Sequence, residues 1–393
     1  MNLENTPRFS DRFEFISGEN DLYSLLESFK KSGEDWIDLT ISNPTKVGLV
    51  YPREAILHSL EKPESLEYDP DPKGTLLARK SIVAYYKEKG YTISEEDLFL
   101  TSSSSEAYSY LIKLLCNPGE EVLIPSPGYP LFEFLSLLDG IEFNSYNLDQ
   151  KTDWNIDFED LSSKITNKTK ILFLVSPNNP TGSLLTSEEF EKLKVISKTK
   201  KIALVLDEVF SDYLHEENRD QLDFFHTDFP VFVVNGVSKI LALPQMKLSW
   251  MHVGGPTNWK KECKERLEII ADTYLSVGTP IQRALPELFQ WRNMIQSQVL
   301  RRIRRNLQIL DSFHSSHPKI AYTSPKGGWY GILQSSSFLK DEDFSFRLLQ
   351  KEKVLVHPGS MFGFDEDSGN IVISLISETE LFQSGLKKIS NLL

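Results

Sequence analysis

Residues Ile171-Leu-Phe-Leu-Val-Ser-Pro-Asn-Asn-Pro-Thr-Gly182 join an apolar run to a turn-rich segment without any transition. The run is continuous rather than alternating, which is the pattern of a strand buried on both faces. On either side of it the same kind of run recurs, at Leu98-Phe-Leu-Thr101, Val122-Leu-Ile124, Ile202-Ala-Leu-Val-Leu206 and Val231-Phe-Val-Val234. Helical spacing fills the intervals, as in Ala107, Tyr110, Leu111, Leu114 and Leu115 before Asn117-Pro-Gly119, or Phe190, Leu193 and Ile196 after Ser187. Strand alternating with helix predicts an α/β fold: a parallel or mixed sheet covered by helices on both faces.

From about Gly278 the pattern changes. A long charged amphipathic helix (Leu300, Ile303, Leu307, Leu310) precedes short strands near Gly328 to Leu333 and Ile371 to Leu375, and a helix runs to Leu393. This α+β stretch predicts a second, smaller domain. No internal repeat or low-complexity linker separates the two.

The chain has 393 residues, 40% of them hydrophobic and 25% charged, the make-up of a globular protein with a large core. Its 43 Lys+Arg against 56 Asp+Glu leave a net charge of -13, which repels phosphate backbones and anionic lipid and argues against nucleic acid as a partner. Cys116 and Cys263 form no metal-binding spacing and no disulfide framework. No apolar run approaches the roughly 20 residues that span a bilayer, and the acidic start lacks a signal-peptide pattern. The expectation is a cytoplasmic protein with no membrane partner and no metal.

Open parallel sheets bind ligands beyond the carboxyl ends of their strands. Just past the runs stand Ser102 to Ser105 with Glu106, Pro125 to Tyr129, Ser176 to Gly182, Asp207, and Asn235 to Lys239. Each has a commonplace explanation. Ser103 and Glu106 have capping-box spacing, Asn178 to Gly182 is ordinary turn composition, Tyr129 suits packing, and a lone Asp or Lys suits a cap or a solvated charge. Their convergence on one sheet edge is what points to chemistry. Hydroxyls and backbone N–H groups at a helix start hold a phosphate. An aromatic face packs a ring, an amide meets a ring oxygen, a buried carboxylate keeps a pyridine nitrogen protonated, and an amine forms an imine. Those are the requirements of pyridoxal 5'-phosphate.

From about Ile37 to the C-terminus the chain resembles the class I/II aminotransferases, enzymes of fold type I that use pyridoxal phosphate. The resemblance is strongest at Ser176-Pro-Asn-Asn-Pro-Thr-Gly182, Leu206-Asp-Glu-Val-Phe210 and Val237-Ser-Lys-Ile-Leu-Ala-Leu-Pro-Gln-Met-Lys-Leu-Ser-Trp250. It implies a large domain with a mostly parallel mixed sheet over residues 47–277. A smaller α+β domain would be built from both chain ends, residues 1–46 and 278–393. By the same resemblance Lys239 is the Schiff-base lysine, Asp207 the partner of the pyridine nitrogen, Asn179 the donor to the ring oxygen and Tyr129 the stacking aromatic. Ser103, Ser104 and Ser105 form a phosphate cup, with Ser238 and Lys247 beside it. Tyr68 matches a tyrosine that reaches the phosphate of the neighbouring subunit, which implies a homodimer with shared sites. Asn43, Trp329 and Tyr330 would line the substrate pocket, near the loop that holds His357. The implied activity is amino transfer between an amino acid or related amine and a 2-oxo acid. A β-lyase shares most of the apparatus, and a non-catalytic sensor would need a basic DNA-binding module of its own.

Four positions depart from the family pattern. Lys247 replaces an arginine eight residues after the lysine and cannot make its bidentate fork. Gly236 replaces a serine three residues before the lysine, removing a hydroxyl. Phe210 stands where many members carry a tyrosine. Val372 occupies the position of the arginine that grips the substrate carboxylate, which leaves that charge without its usual partner. The basic run Arg301-Arg-Ile-Arg-Arg305 reads as the polar face of a helix.

Overall fold

The computed structural model describes residues 9–13, 20–68, 70–215, 221–275, 277–336 and 340–392. In chain order the described strands are β1 (Ile37–Asp38), β2 (Leu98–Thr101), β3 (Glu121–Ser126), β4 (Glu142–Asp149), β5 (Asn155–Ile156), β6 (Thr169–Val175) and β7 (Ala203–Asp207). They continue with β8 (Val231–Gly236), β9 (Ser249–Gly254), β10 (Ala321–Tyr322), β11 (Tyr330–Gln334), β12 (Val354–Leu355), β13 (His357–Pro358) and β14 (Asn370–Ser374).

Eight strands form one sheet in the order β2-β9-β8-β7-β6-β3-β4-β5. The pairs β8–β7, β7–β6, β6–β3 and β3–β4 are parallel. β9 is antiparallel to both of its neighbours, so β2 runs the same way as β8. All five runs singled out in the sequence therefore end at one edge. β9 and β4 were not expected as strands. Ser249–Gly254 carries a Trp, a Met and a His, and Glu142–Asp149 is half polar, with partly covered residues on both of its faces.

Each face of the sheet has its own core. Phe99, Val122, Ile171, Val205, Phe232 and Met251 pack beneath helix Ser104–Leu115 with Ala107 and Leu111. Leu100, Leu123, Leu172, Leu204, Val233 and Trp250 pack on the opposite face. The parity is that of a two-faced strand, with neighbouring residues pointing to opposite sides.

The smaller unit is a four-stranded antiparallel sheet, β10-β11-β14-β13, with the long helix Arg292–Ser316 and the helix Thr379–Ser390 against it. The N-terminal helix Asp21–Ser32 joins it through Leu22, Leu26 and Phe29, which pack on Leu349 and Leu355. Both ends of the chain thus build one unit, as the fold class required. Helix Thr279–Gln290, beyond the expected change at Gly278, turns Ile281, Ala284, Leu285 and Leu288 into the core of the large sheet. The long helix that follows contributes Ile295, Val299 and Ile303 to the other core. Among the described residues no helix is long and apolar enough to cross a membrane.

Candidate active site

At the carboxyl edge, Asp207 ends β7 with its side chain buried. One carboxylate oxygen accepts the Tyr108 hydroxyl and the other accepts Val209 N at 2.9 Å. Burial raises its pKa to about 6 against those two hydrogen bonds, and Glu208 next along the chain pushes the same way. Tyr108 was not foreseen. It lies four residues after Ser104 on helix Ser104–Leu115, so helical spacing puts it on the side of the serines, and that spacing was the available signal.

Lys239 sits in the short helix Val237–Ile240, directly after β8. Its Nζ lies 4.6 Å from the centre of the Trp329 ring and 5.2 Å from that of Phe210. Burial lowers its pKa to about 8, with Asp207 opposing the shift. A helix this short leaves its carbonyls without internal partners. Three side chains from separate parts of the chain meet carbonyls at or just past it: Tyr213 Oη on Lys239 O at 2.6 Å, Gln296 Nε2 on Ile240 O at 2.9 Å and Tyr51 Oη on Ala242 O at 2.8 Å. Gln296 belongs to the long helix of the smaller unit, so both units hold the lysine's backbone.

Ser103 caps helix Ser104–Leu115 by accepting Glu106 N at 3.1 Å. The Glu106 carboxylate reaches back to Ser102, taking its N–H at 2.7 Å and its hydroxyl at 3.0 Å. The commonplace capping reading of Ser103 is therefore true of its hydroxyl as an acceptor. Ser104 meets Tyr108, and the first-turn amides of Ser104 and Ser105 lie at the end of the helix that favours anions. Lys247 is exposed, with a left-handed backbone at φ 51°. Ser238, beside Lys239, is partly exposed.

The loop after β6 is fixed by Asn178, whose Oδ1 accepts Thr181 N and Thr181 Oγ1. Asn179, next to it, is buried, and its amide makes no hydrogen bond among the described residues. Tyr129 stands edge-on to Phe132 at 5.8 Å. Burial pushes its hydroxyl up to about 12, helped by Asp207 and Tyr330, which places all three in one neighbourhood. The opposite wall is Trp329 and Tyr330. Trp329 is wholly buried, its indole N–H has no partner among the described residues, and its ring meets Phe210 at 5.4 Å. Tyr330 lies against Phe210 and Phe362 and meets Ser42.

Val372 is buried in β14, opposite Ile332 and His357. Gly331 faces Leu310 and Leu375, so Ile332 and Val372, one step along, face away from the long helix, on the Tyr330 side. Burial holds His357 below its ordinary pKa, with Asp38 opposing. Asn43 is exposed, and its Oδ1 is taken by Thr45 N and Thr45 Oγ1. Of the basic run, Arg302 is spent on the carbonyls of Val47 and Ile376, and Arg305 lines a groove with Lys387 on the outer face of the small unit. Tyr68 is 79% exposed, in a cleft with Asp71, Gly74 and Leu275. Among the described residues no cluster of three or more His, Cys, Asp or Glu could hold a metal, and both cysteines are free.

A lysine in the field of a buried aspartate, with aromatic rings against its amine and a helix start nearby, carries chemistry, and the sequence has a matching family. The profile described as Aminotransferase class I and II covers residues 34–383. The chain belongs to that family. It is 26% identical to a glutamate-pyruvate aminotransferase of Haemophilus influenzae over 88% of each chain. An alanine aminotransferase of Mycobacterium bovis is also 26% identical, over 84% of this chain and 80% of that one. The solved alanine aminotransferase from Pyrococcus furiosus superposes with a TM-score of 0.87 at 26% identity, covering 98% of this chain and 99% of the other. The protein is thus an aminotransferase of a pyridoxal-phosphate-dependent family, and its substrates are amino and 2-oxo compounds.

Proposed function

We propose that this aminotransferase binds pyridoxal phosphate through Lys239 and moves an amino group from an amino acid to a 2-oxo acid. One observation carries the reading: Lys239 Nζ, with its lowered pKa, stands in the field of a buried Asp207 whose oxygens are both already oriented by Tyr108 and Val209. The residues fit the cofactor. Asn179 is buried, and its Nδ2, which makes no hydrogen bond among the described residues, would donate to a ring oxygen. Tyr129 and Phe210 would supply surface to its ring, Asp207 would face its pyridine nitrogen, and Ser103 to Ser105, Ser238 and Lys247 would offer hydroxyls, amides and a cation to its phosphate. The bound cofactor supplies an electron-withdrawing ring that stabilises negative charge at the substrate carbon. Lys239, neutral in a useful fraction near pH 7 to 8, takes and returns the proton on that carbon. Phe210 and Trp329 exclude water around its amine.

Alanine and glutamate are the donors to try first, since relatives carry those names. With Val372 apolar, the substrate carboxylate is held by neutral donors. The partnerless indole N–H of Trp329, whose ring is 4.6 Å from Lys239 Nζ, supports this. We further infer a homodimer, from the exposed apolar side chains Leu66, Tyr68, Tyr274 and Leu275, with sites shared through Tyr68 as the family resemblance implies, and a cytoplasmic location, from two cysteines that form no disulfide. The domain division proposed is residues 1–46 with 278–393 against 47–277. Its weakest border is at 278, because helix Thr279–Gln290 packs on the large sheet.

The test is borohydride reduction of protein mixed with pyridoxal phosphate, followed by peptide mapping. Label on Lys239, lost in Lys239→Ala, is the expected result. Label on another lysine, or none, overturns the reading.

A further inference from the structure

β2, β9 and β8 lie side by side at the site edge, and their last shared row is Thr101, Ser249 and Gly236. The row two residues back, Phe99, Met251 and Val234, packs beneath helix Ser104–Leu115. Side chains two residues apart on a strand share a face. The row of Thr101, Ser249 and Gly236 therefore faces the same side, directly under the start of that helix, and Thr101 Oγ1 confirms the direction by donating to Ser103 O at 2.9 Å. Two residues further out along these strands stand Ser103 and Lys247.

Ser249 is 3% exposed, and its hydroxyl makes no hydrogen bond among the described residues. With no partner among the described residues, the hydroxyl is free to donate to a group bound at the helix start. Its position is fixed by Gly236: a Cβ built on that glycine would lie 2.3 Å from Ser249 Oγ and 2.9 Å from Ser249 Cβ. The serine side chain fills the space that a side chain at 236 would need. φ at Gly236 is extended, so the backbone places no demand for glycine there. The glycine is required by its neighbour.

Resting on the proposed cofactor, we propose that Ser249 donates its hydroxyl to the cofactor phosphate, supplying from β9 the group that Gly236 lacks on β8. The two residues form a complementary pair in which one side chain, from either strand, occupies one place. Ser249 is a binding residue and takes no part in the proton transfers at Lys239.

The test compares pyridoxal phosphate with pyridoxal, which lacks the phosphate, by spectral titration of the apoenzyme. In Ser249→Ala the phosphorylated cofactor should bind roughly tenfold or more weakly, the size of effect lost with a hydrogen bond to a charged group, while pyridoxal binds as before. The double variant Gly236→Ser with Ser249→Gly should restore phosphate-dependent affinity. A loss shared equally by both ligands, or no loss, overturns the assignment, as does a double variant of wild-type Tm that stays as weak as Ser249→Ala. If wild-type protein binds neither ligand, the cofactor reading itself falls and this one with it.

Discussion

An aspartate that must stay ionised inside a core does so against its own burial, and Asp207 shows the cost in a pKa raised to about 6. Between about pH 4, the ordinary carboxylate value, and pH 6 the folded apoenzyme holds a proton that the unfolded chain has released. The stability contributed by that proton is full at the acid end and is lost as pH rises through 6, by at most about 3 kcal/mol. Asp207→Asn removes this dependence. The Tm difference, variant minus wild type, should therefore grow from pH 4 to above 6 and then level, whereas a flat difference in thermal scans would show that the carboxylate is not destabilised. At Val372 the question is the substrate rather than the fold. An arginine fork lost from a buried carboxylate typically costs about 2 to 5 kcal/mol. Wild-type half-reactions with common amino acids should be weak, and Val372→Arg should speed at least one of them in stopped-flow spectra. Efficient wild-type turnover, impaired by the same substitution, would place the carboxylate's partner elsewhere.

Among the elements, the loop from Ser176 to Ser183 matters more than its length suggests, because the smaller unit is fastened to it. Gly182 O accepts Lys326 N at 3.1 Å and Gly327 N at 3.0 Å, and His215 meets Pro325 O and Gly328 O on the same turn. That turn leads straight into Trp329. Gly182 has φ 70°, and a Cβ there would lie 2.5 Å from Gly327 O. Gly182→Ala should lower stability by about 1 to 3 kcal/mol and weaken cofactor retention, through displaced Asn179 and Trp329. Denaturant midpoints and cofactor titration check both effects. The sequence showed this loop as a turn and Asn179 as a family position, yet the clamp was not legible, since contacts between residues 182 and 327 have no local pattern. The same reason hid Tyr213, Gln296 and Tyr51, whose partners are backbone carbonyls far away in the chain. Continuous apolar runs gave away β6, β7 and β8, whereas β9, with its mixed residues, did not. Asn43 was readable only as a pocket residue, and its structure is that of a cap.

For the whole molecule, the large-sheet unit carries Asp207, Asn179, Lys239 and Ser103 to Ser105, and the small unit carries Trp329, Tyr330 and Val372. Tyr68 is remote in exposure and setting, on a surface with bare Leu66 and Leu275 that suits a two-fold partner. Mixing inactive Lys239→Ala with Tyr68→Phe subunits should regain activity, because one site of each heterodimer collects both lesions and the other none. Mixtures that stay as inactive as their parents would count against shared sites. The carbonyl contacts around Lys239 also bear on recombination between relatives. A chimaera that imports a foreign small unit at Trp291, where one core gives way to the other, would exchange Gln296 and with it the support under Ile240 O. Joining instead at 317–320, after the long helix, keeps that support native while still replacing Trp329, Tyr330 and Val372, so the seam for grafting a new substrate preference lies some twenty-five residues past the border between the cores.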